Sequence, residues 1–267
     1  MAESSAASWS TLRSFMRDRC GVTLAEDQHY LMEARLAPVA KDLKFASVDE
    51  FVLAACKPGA ARTIISPLVD AMTTHETYFF RDSGFWKVLT DDIIPRLLAA
   101  CPSGPLRIWS AACSTGQEPY SLVMLFDEKF PQHLGRLSIV ATDVSEGVLE
   151  TARNASYTVF EVNRGITAPR LMRHFERDGG HFRVKPHLRQ LITWSPHNLI
   201  TQPPPGDGFD LVLVRNVLIY FAEGPRQQVL ARLKGSLKPT GFLGLGSTEL
   251  FSGPGSQAIA PGWYPAR

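Results

Sequence analysis

The chain is 267 residues long, about twice the roughly 100–150 residues typical of one domain, so one large or two unequal domains are expected. It is 45% hydrophobic and 20% charged, with 28 Lys plus Arg against 26 Asp plus Glu and a net charge of +2. That balance excludes wholesale disorder, and the overall charge gives no sign of nucleic-acid binding. The four cysteines, Cys20, Cys56, Cys101 and Cys113, are too scattered for a metal site and too few for a disulfide framework, which fits a reduced, cytoplasmic setting. Residues 1–10 show no basic cluster followed by an apolar run, and no stretch of about 20 residues stays apolar and uncharged, so neither export nor membrane insertion is expected.

The first 72 residues have a helical pattern. Trp9, Leu12, Phe15 and Met16 recur at helical spacing, and Gly21 sits where a left-handed cap would close the helix. A second helix is expected over about residues 26–43. A third opens with Ser47-Val48-Asp49-Glu50, a capping box in which hydroxyl and carboxylate satisfy free backbone N–H groups. A fourth covers about residues 62–72. Residues 1–72 are therefore expected to form a small all-α domain. A polar and aromatic connector, residues 73–82, leads into an α/β region over residues 83–267. Strands are expected at 106–111, 137–144, 191–194, 209–214 and 241–245, with a helix over 117–130. Crossovers between them imply a doubly wound, mostly parallel sheet whose ligand sits at its carboxyl edge.

Between the second and third of these strands lies an insert, residues 151–190. It carries eight basic residues (Arg153, Arg164, Arg170, Arg173, Arg177, Arg183, Lys185, Arg189) against three acids (Glu161, Glu176, Asp178), an excess of five. Such a run is either a solvated surface or a docking face for an acidic partner.

The segment Ile108 to Ser121 runs from a strand into small residues and the single glycine Gly116, then into a helix whose first N–H groups are unpaired. It is neither a Walker A loop nor a G-x-G-x-x-G fingerprint, and a single-glycine turn favours a cofactor made of an amino acid and a nucleoside. Glu118 either lines that site or, paired with Thr115 in a capping box, only caps its helix. Asp143 ends the next strand, where an acid can accept two hydrogen bonds from ribose hydroxyls. It lies 27 residues after Gly116, beyond the roughly 20 of the dinucleotide fold, and as a helix N-cap it would look the same.

Five segments, His75-Glu76-Thr77-Tyr78-Phe79-Phe80-Arg81, Ala111 to Ser121, Ala141-Thr142-Asp143, His197-Asn198-Leu199 and Arg215-Asn216-Val217-Leu218-Ile219-Tyr220-Phe221, together closely resemble CheR, the chemotaxis receptor methyltransferase family. The resemblance spans nearly the whole chain, including the N-terminal helical domain and a closing Leu245-Gly246-Ser247-Thr248-Glu249-Leu250 segment. It implies a Rossmann-like class I methyltransferase domain, preceded by a receptor-recognising helical domain and carrying a small β-subdomain within the basic insert. The implied activity is S-adenosylmethionine-dependent esterification of glutamate side chains on chemoreceptor signalling helices, giving S-adenosylhomocysteine, with no metal. By motif matching, His75, Thr77, Arg81, Glu118, Asp143, Asn198, Leu199, Arg215 and Asn216 would contact the cofactor beside the Gly116 turn. Arg81 and Tyr220 would lie nearest the transferred methyl group and act as the catalytic residues.

Two departures from the family stand out. Asparagine is usual where this chain has His75, and a protonated imidazole would repel a sulfonium in a low-dielectric site, so cofactor affinity is expected to fall below about pH 6.5. The Asp178-Gly179-Gly180-His181 turn looks shorter than in members that hold a receptor's C-terminal peptide, so no tethering peptide is expected to be needed. A glutamate with a solution pKa near 4.3 is already ionised at neutral pH, so methyl transfer needs no general base. Arg81 would orient the incoming carboxylate, and Tyr220 would hydrogen-bond its spectator oxygen or border the methyl.

A nucleic-acid acceptor is disfavoured. Arg215-Asn216-Val217-Leu218 stands where base amino-methylating enzymes show Asp- or Asn-Pro-Pro-aromatic, and the chain has Cys101-Pro102 in place of a Pro-Cys nucleophile. The remaining alternatives are a non-catalytic module that docks on receptors or senses S-adenosylmethionine, and a class I methyltransferase with another acceptor. Receptor contacts are expected from the insert and from Arg35, Lys41 and Lys44, and a monomer is the simplest expectation.

Overall fold

A computed structural model describes residues 2–251 and 257–266 of the chain. Four helices come first: α1 (Ala2–Cys20), α2 (His29–Asp42), α3 (Val48–Ala55) and α4 (Arg62–Met72). Their apolar stripes meet in one core in which Leu12, Met16, Leu36, Phe51, Val52 and Leu68 are fully buried. Gly21, at φ +74°, closes α1 by donating its N–H to the Arg17 carbonyl at 3.0 Å. A Cβ there would stand 2.6 Å from Ile200, so the cap is also a contact with the second domain. At α3, Ser47 Oγ accepts the Glu50 N–H at 3.1 Å, but the Glu50 carboxylate reaches past Ser47 to the Ala46 N–H at 2.8 Å.

The second region contains, in chain order, α5 (Ser83–Val88), α6 (Ile94–Ala100), β1 (Leu106–Ala111), α7 (Gln117–Lys129), β2 (Leu137–Asp143), α8 (Glu146–Asn154), β3 (Ser156–Thr158), α9 (Val159–Asn163), α10 (Ala168–His174), β4 (Phe175–Asp178), β5 (His181–Val184), α11 (Pro186–Arg189), β6 (Ile192–Pro196), β7 (Phe209–Val214), α12 (Glu223–Gly235), β8 (Leu237–Leu245) and β9 (Trp263–Pro265). The main sheet runs β6-β2-β1-β7-β8-β9, parallel except for β9. All six residues of β7 are buried, as expected of a parallel strand covered on both faces. The chain steps outward from β1 to β2 on one side and to β7 on the other, so β1 and its neighbours form the switch point where a doubly wound sheet opens a crevice. No helix among the described residues is long and apolar enough to cross a membrane.

The insert forms a separate antiparallel sheet, β3-β5-β4, with Gly179 at φ +58° in the tight turn between β4 and β5. Much of its positive charge is paired with acids. Arg170 makes two 2.9 Å bonds to the Glu128 carboxylate, buried His174 adds a 3.0 Å contact to it, and Arg173 pairs with Asp127 at 2.7 Å, which fastens α10 to the end of α7. Arg153, Arg164 and Arg183 also form ion pairs, leaving Arg177, Lys185 and Arg189 with none among the described residues.

Burial alone would raise the Glu128 carboxyl, but the hydrogen bonds from His174 and Arg170 hold it down at about 2. A carboxyl depressed on folding stabilises above its unfolded value, near 4.3, and that contribution is lost as pH falls toward 2. Glu128→Gln should therefore lose less stability than the parent protein between about pH 4.5 and 2 in urea titrations. Parallel losses in the two proteins would contradict this.

Candidate active site

A cavity of about 310 Å³ opens at the carboxyl ends of β1, β2, β6 and β7, within the roughly 300–1,000 Å³ typical of small-ligand sites. The connector closes one side of it, and the loop after α1 together with α2 closes another. The segment after β1 folds back on β2, with Ala112 and Ser114 in the left-handed region at φ +58° and +51°. Such backbone is uncommon without glycine and is held here by specific bonds. The Cys113 N–H reaches the Thr142 carbonyl at 2.9 Å, the Ser114 N–H reaches Asp143 Oδ2 at 2.9 Å, and Ser114 Oγ donates to the His75 carbonyl at 2.8 Å. The other Asp143 oxygen accepts the Ser145 N–H at 3.0 Å. Burial pushes the Asp143 carboxyl up, against the pull of these N–H groups and of charge on His75.

At the other end of the cavity the Arg215 side chain, 2% exposed, lies between two carboxylates, 2.8 Å from Asp82 Oδ2 and 3.0 Å from Glu118 Oε2. It also donates to the Arg81 carbonyl at 2.9 Å and stacks 4.0 Å over the Phe85 ring. Glu118 takes a further bond from Ser110 Oγ at 2.8 Å, while Thr115 Oγ1 bonds Gln117, so no Thr115–Glu118 capping box forms. One guanidinium thus ties the connector to β7 and α7. Arg81 itself donates to the Glu76 carbonyl at 2.8 Å and lies 5.5 Å from the Tyr78 ring centre.

His75, Thr77, Arg81, Glu118, Asp143, Asn198, Leu199, Arg215, Asn216 and Tyr220 all line the cavity. Gly116 does not. It sits at φ +94° on the N-terminus of α7, where a Cβ would come within 2.9 Å of Ala152 and 3.0 Å of Trp194, so its bareness serves the packing of α7. The Asn198 amide is also occupied, donating to the Arg19 carbonyl at 2.7 Å and accepting the Ile200 N–H at 2.8 Å. Both cavity histidines are tied to backbone. His75 Nε2 lies 3.0 Å from the Asp70 carbonyl and His197 Nε2 lies 2.8 Å from the Pro203 carbonyl. A carbonyl only accepts, so each Nε2 carries its proton, and His75 Nε2 also lies 2.9 Å from Thr73 Oγ1.

Sequence reasoning missed four contributors to this site. Asp82 follows Arg81 and sits at φ +66° in a left-handed turn without glycine. Thr23 and Gln28, with neighbours on the loop after α1 and on α2, form cavity wall, and the Thr23 N–H donates to the Tyr220 carbonyl at 2.9 Å. Glu249, 5% exposed, accepts N–H groups from the loop after β7. The only sequence signal for it was an acid within an otherwise uncharged segment, Leu245 to Leu250.

The α/β domain thus carries at its switch point a cavity whose wall includes Asp143 and Glu118, where such sheets bind their ligands. Residues 75–259 match the family described as "CheR methyltransferase, SAM binding domain". The chain is 39% identical over 249 residues to "Chemotaxis protein methyltransferase 1" of Pseudomonas aeruginosa, covering 91% of this chain and 90% of that protein. It is 38% identical over 248 residues to "Chemotaxis protein methyltransferase Cher2" of Pseudomonas putida, with 90% and 89% covered. Against the "Chemotaxis protein methyltransferase" of Escherichia coli it is 32% identical over 242 residues, with 88% and 81% covered. The chain belongs to the CheR methyltransferase family.

Proposed function

We propose that this protein esterifies glutamate side chains on the cytoplasmic signalling helices of chemoreceptors, using S-adenosylmethionine and releasing S-adenosylhomocysteine. The observation that supports it most is the single cavity in which Asp143, Glu118 and the connector bearing Thr77 and Arg81 converge at the switch point. The donor set fits the cofactor, since buried carboxylates suit ribose hydroxyls and a cationic ligand and would repel a pyrophosphate. When bound, S-adenosylmethionine supplies a methyl group on a positively charged sulfur. Asp143 holds the nucleoside end. Arg81, with its guanidinium at the cavity wall, orients the acceptor carboxylate, and Tyr220 borders the transfer path. A glutamate carboxylate, already ionised at neutral pH, would accept that methyl group without a general base. Catalysis is then positioning and removal of water from the carboxylate.

The tight Gly179-Gly180 turn supports action without a tethering peptide. With most insert arginines paired internally, the exposed cations of α2, including Lys41, are the better candidates for contact with an acidic receptor helix, and added salt should weaken that contact. Tritiated methyl transfer to receptor-containing membranes tests the reading. Base-labile label released as methanol supports it, base-stable label means another acceptor, and cofactor binding with no label means a docking or sensing module.

Burial pushes the Asp143 carboxyl up from its ordinary value, so acidification neutralises it sooner than an exposed carboxylate. S-adenosylmethionine and S-adenosylhomocysteine should both bind more weakly as pH falls, in calorimetric titrations, and Asp143→Asn should flatten that dependence. An unchanged pH dependence in Asp143→Asn would remove the Asp143 charge from the account.

A further inference from the structure

Glu249 lies in the segment after β8, and no side chain of opposite charge reaches its carboxylate among the described residues. Its partners are four backbone N–H groups. Oε2 accepts from Asn216 at 2.8 Å and from Gly246 at 2.8 Å, and Oε1 accepts from Val217 at 2.9 Å and from Leu218 at 2.7 Å. The three consecutive donors, Asn216 to Leu218, are the stretch between Arg215 and the short helical turn Leu218–Tyr220 that presents Tyr220. Asn216 is at φ +59°, a left-handed conformation that asparagine tolerates better than most side chains. Gly246 leaves room for the arrangement, since a Cβ there would be 2.7 Å from Glu249 Oε2 and 2.9 Å from the Asn216 amide nitrogen.

We infer that Glu249 is a positioning residue for the cofactor site: its carboxylate gathers the N–H groups of the loop after β7 and so sets where Asn216 and Tyr220 stand on the cavity wall. Without it those N–H groups would turn toward water or toward the cavity, and the loop that carries Asn216 would shift. This rests on the cofactor reading above. Glutamine in the same place keeps the shape but presents one amide NH₂ to N–H donors, so two of the four bonds become donor against donor.

Glu249→Gln and Glu249→Asp are compared with the parent protein and with Glu223→Gln, an exposed acid on α12, by calorimetric titration with S-adenosylhomocysteine, by kcat and KM for S-adenosylmethionine, and by thermal melting. Glu249→Gln should bind S-adenosylhomocysteine roughly tenfold or more weakly, with KM for S-adenosylmethionine rising alongside, at a temperature where the variant is fully folded. Glu249→Asp, which keeps two accepting oxygens on a shorter arm, should fall between it and the parent. A purely structural role would lower the melting temperature and leave the affinity of the folded protein unchanged. A folded Glu249→Gln with parental affinity and KM overturns the inference, and should that variant fail to fold, parental affinity in Glu249→Asp does so. A parent protein that fails to bind S-adenosylhomocysteine would instead defeat the cofactor reading itself.

Discussion

Arg215→Met should lower folding stability by about 3 kcal/mol and remove most of the affinity for S-adenosylhomocysteine, read by urea denaturation and calorimetry. The guanidinium holds two carboxylates at once, and its methylene replacement leaves Glu118, 13% exposed, and Asp82, 28% exposed, facing each other with no cation between them. A buried ion pair is weak evidence of net stability when both partners are replaced together, but removing one partner leaves a desolvated charge without compensation. Asp82 is wet enough to recover part of its hydration, which keeps the expected loss at the lower end of that range. Loss of affinity follows because the same side chain anchors the Arg81 carbonyl, and with it the connector that carries Thr77 and Arg81. Arg215→Lys should rescue little, since a single ammonium cannot bridge Asp82, Glu118 and the Arg81 carbonyl as a planar fork does. Parental stability and affinity in the lysine variant would show that the fork is unimportant.

Gly165→Ala should cost about 3 kcal/mol or more and reduce kcat by at least roughly tenfold. Gly165 adopts φ +105°, and a Cβ on it would lie 1.8 Å from the Phe79 carbonyl oxygen, which is backbone and cannot rotate away. Phe79 is itself fixed, fully buried in edge contacts with Tyr157 at 5.0 Å and Phe175 at 5.6 Å between ring centres. The displacement must therefore pass along the connector, of which Phe79 is part. Tyr78 there lies beneath the Arg164 guanidinium at 4.6 Å and 5.5 Å from that of Arg81. The control is Gly179→Ala, also at positive φ but with nothing within 4 Å of the added Cβ, which should cost only about 1 kcal/mol and spare kcat. Equal effects of the two substitutions would mean that the insert does not brace the connector.

Several parts of this architecture were legible because their signals are local. The apolar runs at Leu106–Ala111 and Phe209–Val214 became β1 and β7 with the expected bounds, and Gly21 caps α1 as its position suggested. Asp143 was visible as an acid ending a strand. Other readings stayed open or incomplete for reasons of distance along the chain. Whether Glu118 capped a helix or served the cavity was undecidable from spacing, since the deciding partner, Arg215, is 97 residues away. The Gly116 turn was read as an approach to a ligand, whereas the residues that need its missing Cβ come from α8 and β6. The composition of the insert did not show which acids its cations meet, since Arg170 and Arg173 find their partners on α7, more than 40 residues earlier.

Alone, the order of amino acids determined the two-part division into helices and an alternating sheet region, the strands that lie at the centre, and the family motifs that mark the cofactor edge, because periodicity, caps and turns depend on neighbours a few residues apart. Only the folded chain decided which charge meets which. Arg215 reaches back 133 residues to Asp82, and Glu249 reaches back 33 to Asn216. Those pairings follow from sheet order and register, which bring the ends of β1, β2 and β7 together and leave each buried charge only the partners within hydrogen-bond reach.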